Sequence, residues 1–128
     1  MGEDETQVVI DEGGFGTIKI SSDVVKIIAG LAATEIAGIS AMSGGLAGGI
    51  AERLGRKNLS RGVKADVGEK EASIDLDVIV EYGFQIHKVA NEAQAKVKAA
   101  VENMTGLKVL GVNVNVQGVS FPLDKDED

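Results

Sequence analysis

The sequence has few of the residues from which most catalytic and metal sites are built. It contains no cysteine and no tryptophan, and it has one histidine and one proline among 128 residues. Without cysteine, neither a disulfide bond nor a thiolate metal site is available. The one histidine, His87, has no serine or aspartate placed by the sequence to form a catalytic triad with it. The sequence therefore predicts a surface histidine and no catalytic or cofactor-binding residue.

Aromatic residues and long apolar runs are also scarce. The chain has three phenylalanines and one tyrosine, so the core is expected to rely on Val, Ile, Leu and Ala. Its most apolar stretch, from Val24 to Met42, is interrupted by Lys26 and Glu35, whereas a helix that spans a bilayer needs about 20 apolar residues. A signal peptide begins with positive charge, but residues 1–5 are acidic. The sequence predicts a soluble protein without a membrane span.

Charge divides the chain into a domain and two tails. Residues 1–16 carry five acidic groups and no basic one, and residues 124–128 carry four acidic groups and one lysine. The residues between them hold 12 basic and 11 acidic groups, although the net charge of the whole chain is −7. Charged segments with little apolar surface remain disordered. We predict disordered acidic tails at 1–16 and 122–128 around one domain, residues 17–121.

The domain begins with a predicted strand and helix. Residues 17–20 alternate between polar and apolar side chains, and Ser21, Ser22 and Asp23 then supply an N-cap and an acid in the first turn. Apolar residues follow at the spacing of a core-facing helix stripe: Val24, Ile27, Ile28 and Leu31. We expect this helix to end near Gly38.

A predicted hairpin follows after the middle of the chain. Residues 63–67 and 74–82 alternate, and residues 68–71 join them as a turn. One face of the second strand is apolar: Ile74, Leu76, Val78, Val80 and Tyr82. The other face carries Asp75 and Asp77, so this hairpin is expected to have one solvated face.

A long helix and a last strand complete the predicted domain. Helical spacing relates seven apolar residues, and Gly106 is the expected C-cap: Ile86, Val89, Ala90, Ala93, Val97, Val101 and Met104. In the last strand the apolar positions switch from odd numbers at Val109 to even numbers at Val112, which predicts a β-bulge at Leu110-Gly111. The order is β-α-(short glycine-rich helix)-β-β-α-β, which predicts an α+β two-layer sandwich with ferredoxin-like topology.

The glycine-rich segment SGGLAGGIAERLGRKN, residues 43–58, is the main candidate site. It lacks the spacing of a P-loop or of a dinucleotide fingerprint, and it follows a helix rather than a strand. Leu46, Ile50 and Leu54 recur every four residues and favour a short helix, which the glycines weaken by about 1 kcal/mol each. Three interpretations remain open: a locally packed helix, a partner-contact surface and a phosphate cradle. The partner-contact candidates are Gly44, Leu46, Gly48, Ile50, Arg53, Leu54, Arg56, Lys57 and Arg61.

Basic residues concentrate at positions 53–64, the only such run in the chain. A solvated helix end is the plain interpretation, and the alternatives are an acidic protein partner, anionic lipid or nucleic acid. RNA recognition on a sheet of this kind uses exposed aromatic residues for stacking. The predicted open face instead carries Asp75, Asp77, Asn113 and Asn115, so we expect no nucleic acid there. Two aspartates without a third ligand also predict no metal site.

Four blocks of sequence resemble the alkaline shock protein family of Gram-positive bacteria, which acts in the envelope stress response. These blocks are IKIS (18–21), GGLAGGIAERLGRKNLSRGV (44–63), IDLDVIVEYGFQI (74–86) and VENMTGLKVLGVNVNVQGV (101–119). The resemblance implies a cytoplasmic, non-enzymatic protein that acts as an interaction or scaffold module. It also implies a protein partner such as an integral-membrane anchor at the inner face of the envelope, or a link to lipid-synthesis control. We expect the module to self-associate or to bind such a partner. The alternative function is a nucleic-acid or nucleotide-binding protein that uses residues 53–64.

Overall fold

The computed structural model describes residues 7–10, 15–43 and 60–121, and it describes the first of these ranges by its backbone only. Six strands and two helices follow one another in these residues. The strands are β1 Gln7–Ile10, β2 Ile18–Ser21, β3 Ile39–Met42, β4 Val63–Val67, β5 Glu71–Glu81 and β6 Lys108–Ser120, and the helices are α1 Ser22–Thr34 and α2 Ile86–Thr105. The predicted α+β class, with two helices on a sheet, is confirmed.

Strand β5 lies at the centre of a four-stranded mixed sheet. Strand β6 pairs with it in parallel along one edge, and β3 and β4 pair with it antiparallel along the other edge. Strands β3 and β4 lie end to end, because β4 pairs with residues 72–76 of β5 and β3 with residues 78–80. Strands β1 and β2 form a separate two-stranded sheet.

The direct pairing of β5 with β6 settles the strand order, which the sequence does not determine. In a split βαβ arrangement another strand lies between two parallel strands that a helix connects. Here β5 and β6 are neighbours, and α2 connects them without an intervening strand. The first strand of the predicted domain, β2, is instead paired with β1, so it lies outside the four-stranded sheet.

Two of the six strands differ from the sequence expectation. Strand β1 lies inside residues 1–16, for which the sequence predicts a disordered tail, and pairs antiparallel with β2 from Gln7↔Ser21 to Ile10↔Ile18. Its sequence QVVI contains two valines and one isoleucine, and the pairing with β2 outweighs the acidic surroundings. Strand β3, ISAM, is not predicted, because four residues without clear alternation give no strand signal.

Helix α1 begins as predicted, and the face that it turns to the core matches the prediction in part. The side chain of Ser21 accepts a 3.1 Å hydrogen bond from the backbone N–H of Asp23, which confirms the N-cap. The predicted core residue Ile28 is buried, together with Val25, Ala29, Ala32 and Ala33. The predicted core residues Val24 and Leu31 are instead 42% and 44% exposed. Small residues on most of the buried face let the helix approach its neighbours closely. The helix ends at Thr34, before the predicted Gly38.

Helix α2 and the sheet enclose the core that the sequence predicts. Alternate residues of β5 from Ala72 to Val80 are at most 1% exposed, and α2 buries Val89, Ala93, Val97 and Val101 against this layer. Two predicted core residues at the ends of α2 are exposed instead, Ile86 by 44% and Met104 by 70%. Each lies outside the narrow stripe, with a spacing of four residues, that the helix buries.

The end of α2 and the irregular pairing of β6 follow the sequence prediction. Gly106 is in the left-handed conformation with φ 82°, and its N–H donates to Glu102 O, which confirms the C-cap. The pairing of β6 with β5 shifts between Val109 and Gly111, which confirms the bulge at Leu110. A second shift, between Val116 and Gly118, is not predicted because no change of apolar parity marks it before Val119.

Candidate interaction surface

Most of the predicted partner-contact residues lie outside the described residues. These are Gly44, Leu46, Gly48, Ile50, Arg53, Leu54, Arg56 and Lys57, and the predicted short helix lies there with them. Arg61 is described and exposed, in the turn that precedes β4. The assignment of these residues to a partner-contact surface therefore stays a prediction.

The backbone of Asp77 fixes both points where the described chain meets residues 44–59. Its carbonyl accepts a 2.8 Å hydrogen bond from the N–H of Ser43, and its own N–H donates a 2.8 Å bond to the carbonyl of Gly62. Gly62 has φ 78°, and a Cβ atom there would overlap the carbonyl oxygen of Ser43. Only glycine allows the two chain ends to approach so closely. The glycine-rich segment is thus attached at the junction between β3 and β4.

The open face of the sheet carries a polar ladder between β5 and β6. The side-chain amide of Asn113 donates to Asp75 Oδ1 at 2.7 Å, and that of Asn115 donates to Asp77 Oδ1 at 3.0 Å. Lys64 of β4 is the cross-strand partner of Asp75. The described residues contain no cluster of three or more histidine or acidic side chains that could hold a metal ion. The open face is therefore polar and carries both aspartates, as the sequence predicts.

All four aromatic residues lie outside the core, including Tyr82, which the alternation of β5 places on the apolar face. Phe15 is 98% exposed, Tyr82 64%, Phe84 42% and Phe121 54%. Three of them lie close to the ends of β5 and β6 in the sequence: Tyr82 follows β5, Phe121 follows β6, and Phe84 lies in the turn before α2. Because β5 and β6 are parallel, their last residues reach the same edge of the sheet.

We call this surface the aromatic end and define it by Tyr82, Phe84, Ile86 and Phe121. The rings of Tyr82 and Phe121 stack with their centroids 5.3 Å apart and an angle of 18° between their planes. Ile86 is the first residue of α2 and follows Tyr82 by four residues in the sequence. Its side chain is 44% exposed. The described part of the chain has no other stacked aromatic pair.

Gly38 provides the seat of Phe84. Its φ is 105°, and a Cβ atom on it would lie 2.9 Å from Cδ2 of Phe84 and 2.7 Å from Cγ2 of Val89. The carbonyl of Gly38 also accepts a 2.7 Å hydrogen bond from the N–H of Glu81, at the end of β5. An open groove of about 350 Å³ borders the ring and is lined by Ala37, Gly83, Phe84, Gln85, Lys88, Val89 and Glu92. Gly38 therefore lets the ring of Phe84 pack closely against the backbone, and the groove leaves part of the ring exposed to solvent.

His87 lies beside the aromatic end in the first turn of α2, where its side chain is exposed. Lys88 follows it in the sequence. Among the described residues, no serine or aspartate forms a hydrogen bond with the His87 side chain. Sequence reasoning identifies this histidine as a surface residue but misses the aromatic end. The available signal is the position of the aromatic residues, since Tyr82 and Phe84 flank Gly83 at a strand end and Phe121 precedes the proline.

The family model described as "Asp23 family, cell envelope-related function" matches residues 11–121. The chain belongs to this family. It is the alkaline shock protein family, and its name is unrelated to residue Asp23 of this chain. The resemblance seen in the four sequence blocks is thus confirmed, and so is the link to the cell envelope at the level of the family.

Curated relatives come from Gram-positive bacteria. The chain is 35% identical to the uncharacterized protein YqhY of Bacillus subtilis, covering 88% of this chain and 84% of YqhY. It is 40% identical to YloU of the same organism, covering 82% of this chain and 89% of YloU. A Streptococcus pyogenes protein named "Stress response regulator gls24 homolog" is 29% identical, and the match covers 79% of this chain and 57% of that protein.

Solved structures give a weaker match. The copper form of a MamM CTD aligns with a TM-score of 0.47 and 13% identity, covering 76% of this chain and 96% of that chain. In the described ranges, neither α1 nor α2 has the length and apolar character that a membrane crossing requires.

Proposed function

We propose that this protein is a non-enzymatic, cytoplasmic interaction module of the envelope stress response. It binds an integral-membrane protein through the aromatic end and is held by it at the inner face of the envelope. The family description and the name of the gls24 relatives support the link to the envelope and to stress. The link to lipid-synthesis control that the resemblance implies is part of the same proposal.

The single observation that carries this proposal is the exposure of every aromatic residue in a protein whose core is aliphatic. A buried Tyr or Phe removes about 150–250 Å² from water, at about 25 cal/mol per Å². Tyr82 and Phe121 leave more than half of their surfaces in water while they stack on each other. Aromatic residues are enriched at the centres of protein interfaces, where they contribute much of the binding energy.

The surroundings of the aromatic end suit a protein partner. Lys88 and Glu92 line the groove beside Phe84, so charges of both signs border the apolar centre. Charged residues at the rim of an interface mainly affect the association rate and its dependence on salt. A surface for anionic lipid would instead need basic residues without neighbouring acids.

The test compares binding to three preparations from a Gram-positive bacterium. These are inverted membrane vesicles, the same vesicles after protease treatment, and protein-free vesicles made from the extracted lipids. The full-length protein is sedimented with each preparation, beside a variant that carries both Tyr82→Ser and Phe121→Ser. The matched control is Leu110→Ser, which removes a 57% exposed leucine near the opposite end of β6.

We expect the protein and the Leu110 control to sediment with untreated vesicles only, and the double variant to stay in the supernatant. Circular dichroism should show the same folded state for all three proteins, because the substituted side chains are exposed. Equal binding to protein-free lipid vesicles would overturn the protein partner. Equal binding by the double variant would overturn the aromatic end as the contact.

A further inference from the structure

Both neighbours of the central strand are irregular next to the same residue of β5, Ile79. The pairing of β3 with β5 shifts at Ser40, which is the extra residue of a bulge on one side of Ile79. On the other side of β5, the pairing of β6 shifts at Gln117, again next to Ile79. A bulge bends its strand, increases the local twist and redirects a side chain. The sheet is therefore distorted on both sides of β5, three residues before Tyr82 of the aromatic end.

Two serine side chains meet across β5 where these bulges lie. Adjacent strands are about 4.7–4.9 Å apart, so two strands with a third between them are about 9–10 Å apart in a regular sheet. The hydroxyl of Ser120 in β6 nevertheless donates a 2.9 Å hydrogen bond to the hydroxyl of Ser40 in β3. The hydroxyl of Ser40 donates in turn to the carbonyl of Ile79, at 3.3 Å. The end of β6 is thus linked over the central strand to β3.

Ser120 is also the residue that precedes Phe121 of the aromatic end. Its carbonyl accepts a 2.7 Å hydrogen bond from the N–H of Tyr82. Phe121 lies beyond the last residue of β6 that pairs with β5. Its ring, although 54% exposed, stacks on Tyr82 with the centroids 5.3 Å apart. The place of this ring therefore depends on how Ser120 is held, by its backbone on Tyr82 and by its side chain on Ser40.

We propose that Ser40 is a positioning residue of the aromatic end. Its hydroxyl fixes Ser120, and through Ser120 it sets the place where Phe121 stacks on Tyr82. The link is non-local, because 80 residues separate the two serines in the sequence. It gives the short strand β3 a role at a surface that the ends of β5 and β6 form. The effect of Ser40 on the rings is independent of any partner, whereas its effect on binding rests on the proposed function.

The chain offers a local readout for this role. A hydrogen bond between exposed hydroxyl groups adds little to global stability, because water replaces it when it is lost. Unfolding experiments alone therefore cannot detect the positioning. The chain has one tyrosine and no tryptophan, so the tyrosine band of its near-ultraviolet circular dichroism comes from Tyr82. This band reports on the ring that stacks on Tyr82.

Five variants of the full-length protein separate positioning from a general effect on the sheet. Ser40→Ala removes both hydrogen bonds of Ser40, and Ser120→Ala removes the link from the side of β6. Ser40→Thr keeps a hydroxyl group at the same position. Phe121→Ser gives the band of a Tyr82 ring without its stacking partner. The matched control is Ser73→Ala, which changes a half-buried serine of β5 near the opposite end of the sheet.

We expect both alanine variants, Ser40→Ala and Ser120→Ala, to move the tyrosine band toward that of Phe121→Ser. The threonine variant and the Ser73 control should keep the band of the natural protein. Adding Ser40→Ala to Phe121→Ser should cause no further change, because the stack is already lost. In sedimentation with untreated membrane vesicles, Ser40→Ala should raise the dissociation constant about two- to tenfold, the effect of losing an aromatic pair.

Three results would overturn the positioning role. One is a tyrosine band that neither alanine variant changes. Another is a band that Ser40→Ala changes equally in the presence and in the absence of Phe121. The third is a band that Ser40→Thr shifts as far as Ser40→Ala does. A shifted band with unchanged sedimentation would support the role of Ser40 and would overturn the aromatic end as the membrane contact, so the two proposals fail separately.

Discussion

The carboxylate of Glu102, in the last turn of α2, accepts a 2.9 Å hydrogen bond from the backbone N–H of Val109 in β6. The ammonium group of Lys98, one turn earlier, donates to the same carboxylate at 3.2 Å. The hydrogen bond from Val109, followed by that from Lys98, favours the charged form and lowers the pKa of Glu102. The helix and the edge strand are therefore joined by an interaction that depends on ionisation.

This interaction predicts how Glu102→Gln changes stability with pH. A folded-state pKa below the unfolded value means that the stabilisation is fully present above the ordinary glutamate pKa, about 4.3. It is lost as the pH falls through the lowered pKa of the folded protein. We expect the natural protein to be more stable than the variant near neutral pH and equally stable at strongly acidic pH. Denaturant titrations at a series of pH values measure this difference, with Glu92→Gln on the same helix as the control. A difference that does not change with pH would show that the charge of Glu102 contributes nothing.

Gly38→Ala tests the seat of Phe84 at the aromatic end. Alanine at φ 105° is strained, and its Cβ would also clash with Val89 and Phe84. The control is Gly83→Ala, because Gly83 has nearly the same φ, 106°, and a Cβ atom added there would have no neighbour within 4 Å. We expect about 1–3 kcal/mol of destabilisation from the backbone in both variants and a further loss only at Gly38. Equal losses in denaturant titrations would show that Phe84 moves aside freely.

The orientation of α1 can be tested by one buried and one exposed residue. Ala29→Leu inserts three carbon atoms where the side chain is fully buried, and we expect a loss of about 1–3 kcal/mol. Leu31→Ala removes a side chain that is 44% exposed, so its effect should be smaller than about 1 kcal/mol. Thermal and denaturant unfolding measure both. The opposite ranking would indicate that Val24 and Leu31, and not Ala29, face the core.

Neighbouring residues of β5 provide a matched pair for the two faces of the sheet. Leu76→Ala leaves a cavity at a side chain with 0% exposure and should cost about 2–5 kcal/mol. Asp75→Asn keeps an oxygen that can accept the hydrogen bond from Asn113, so it should cost less than about 1 kcal/mol. A larger loss for Asp75→Asn in the same denaturant titration would contradict this assignment of the faces.

The sequence is most informative where one strand or helix carries its own signal. Alternation over β5, the four-residue spacing along α2 and the C-cap glycine at 106 are local patterns, and the structure contains all three features. The bulge at Leu110 can be predicted because the apolar parity on its two sides disagrees. Short elements give no comparable signal: β1 is hidden among acidic residues, and β3 has only four residues.

Features that depend on partners distant in sequence cannot be predicted in the same way. Every side of α1 except its polar start carries apolar residues, so only packing against α2 and the sheet selects Ala29 and Ala33 over Leu31. The neighbour of β5 is likewise decided by the whole sheet and by the pairing of β2 with β1. The aromatic end arises because the parallel strands β5 and β6 end at the same edge of the sheet. No local sequence pattern predicts that these two ends are neighbours.

The junction at Asp77 makes this domain tolerant of change at one place. Ser43 and Gly62 are held by the two backbone groups of one central-strand residue, so the ends of the intervening segment are fixed by the sheet and not by the segment itself. Doubling the length of a loop between fixed ends costs only about 0.6 kcal/mol in closure entropy. By this estimate, lengthening the chain between residues 43 and 60 with a fluorescent label or an epitope adds little closure entropy to the cost of forming the junction at Asp77.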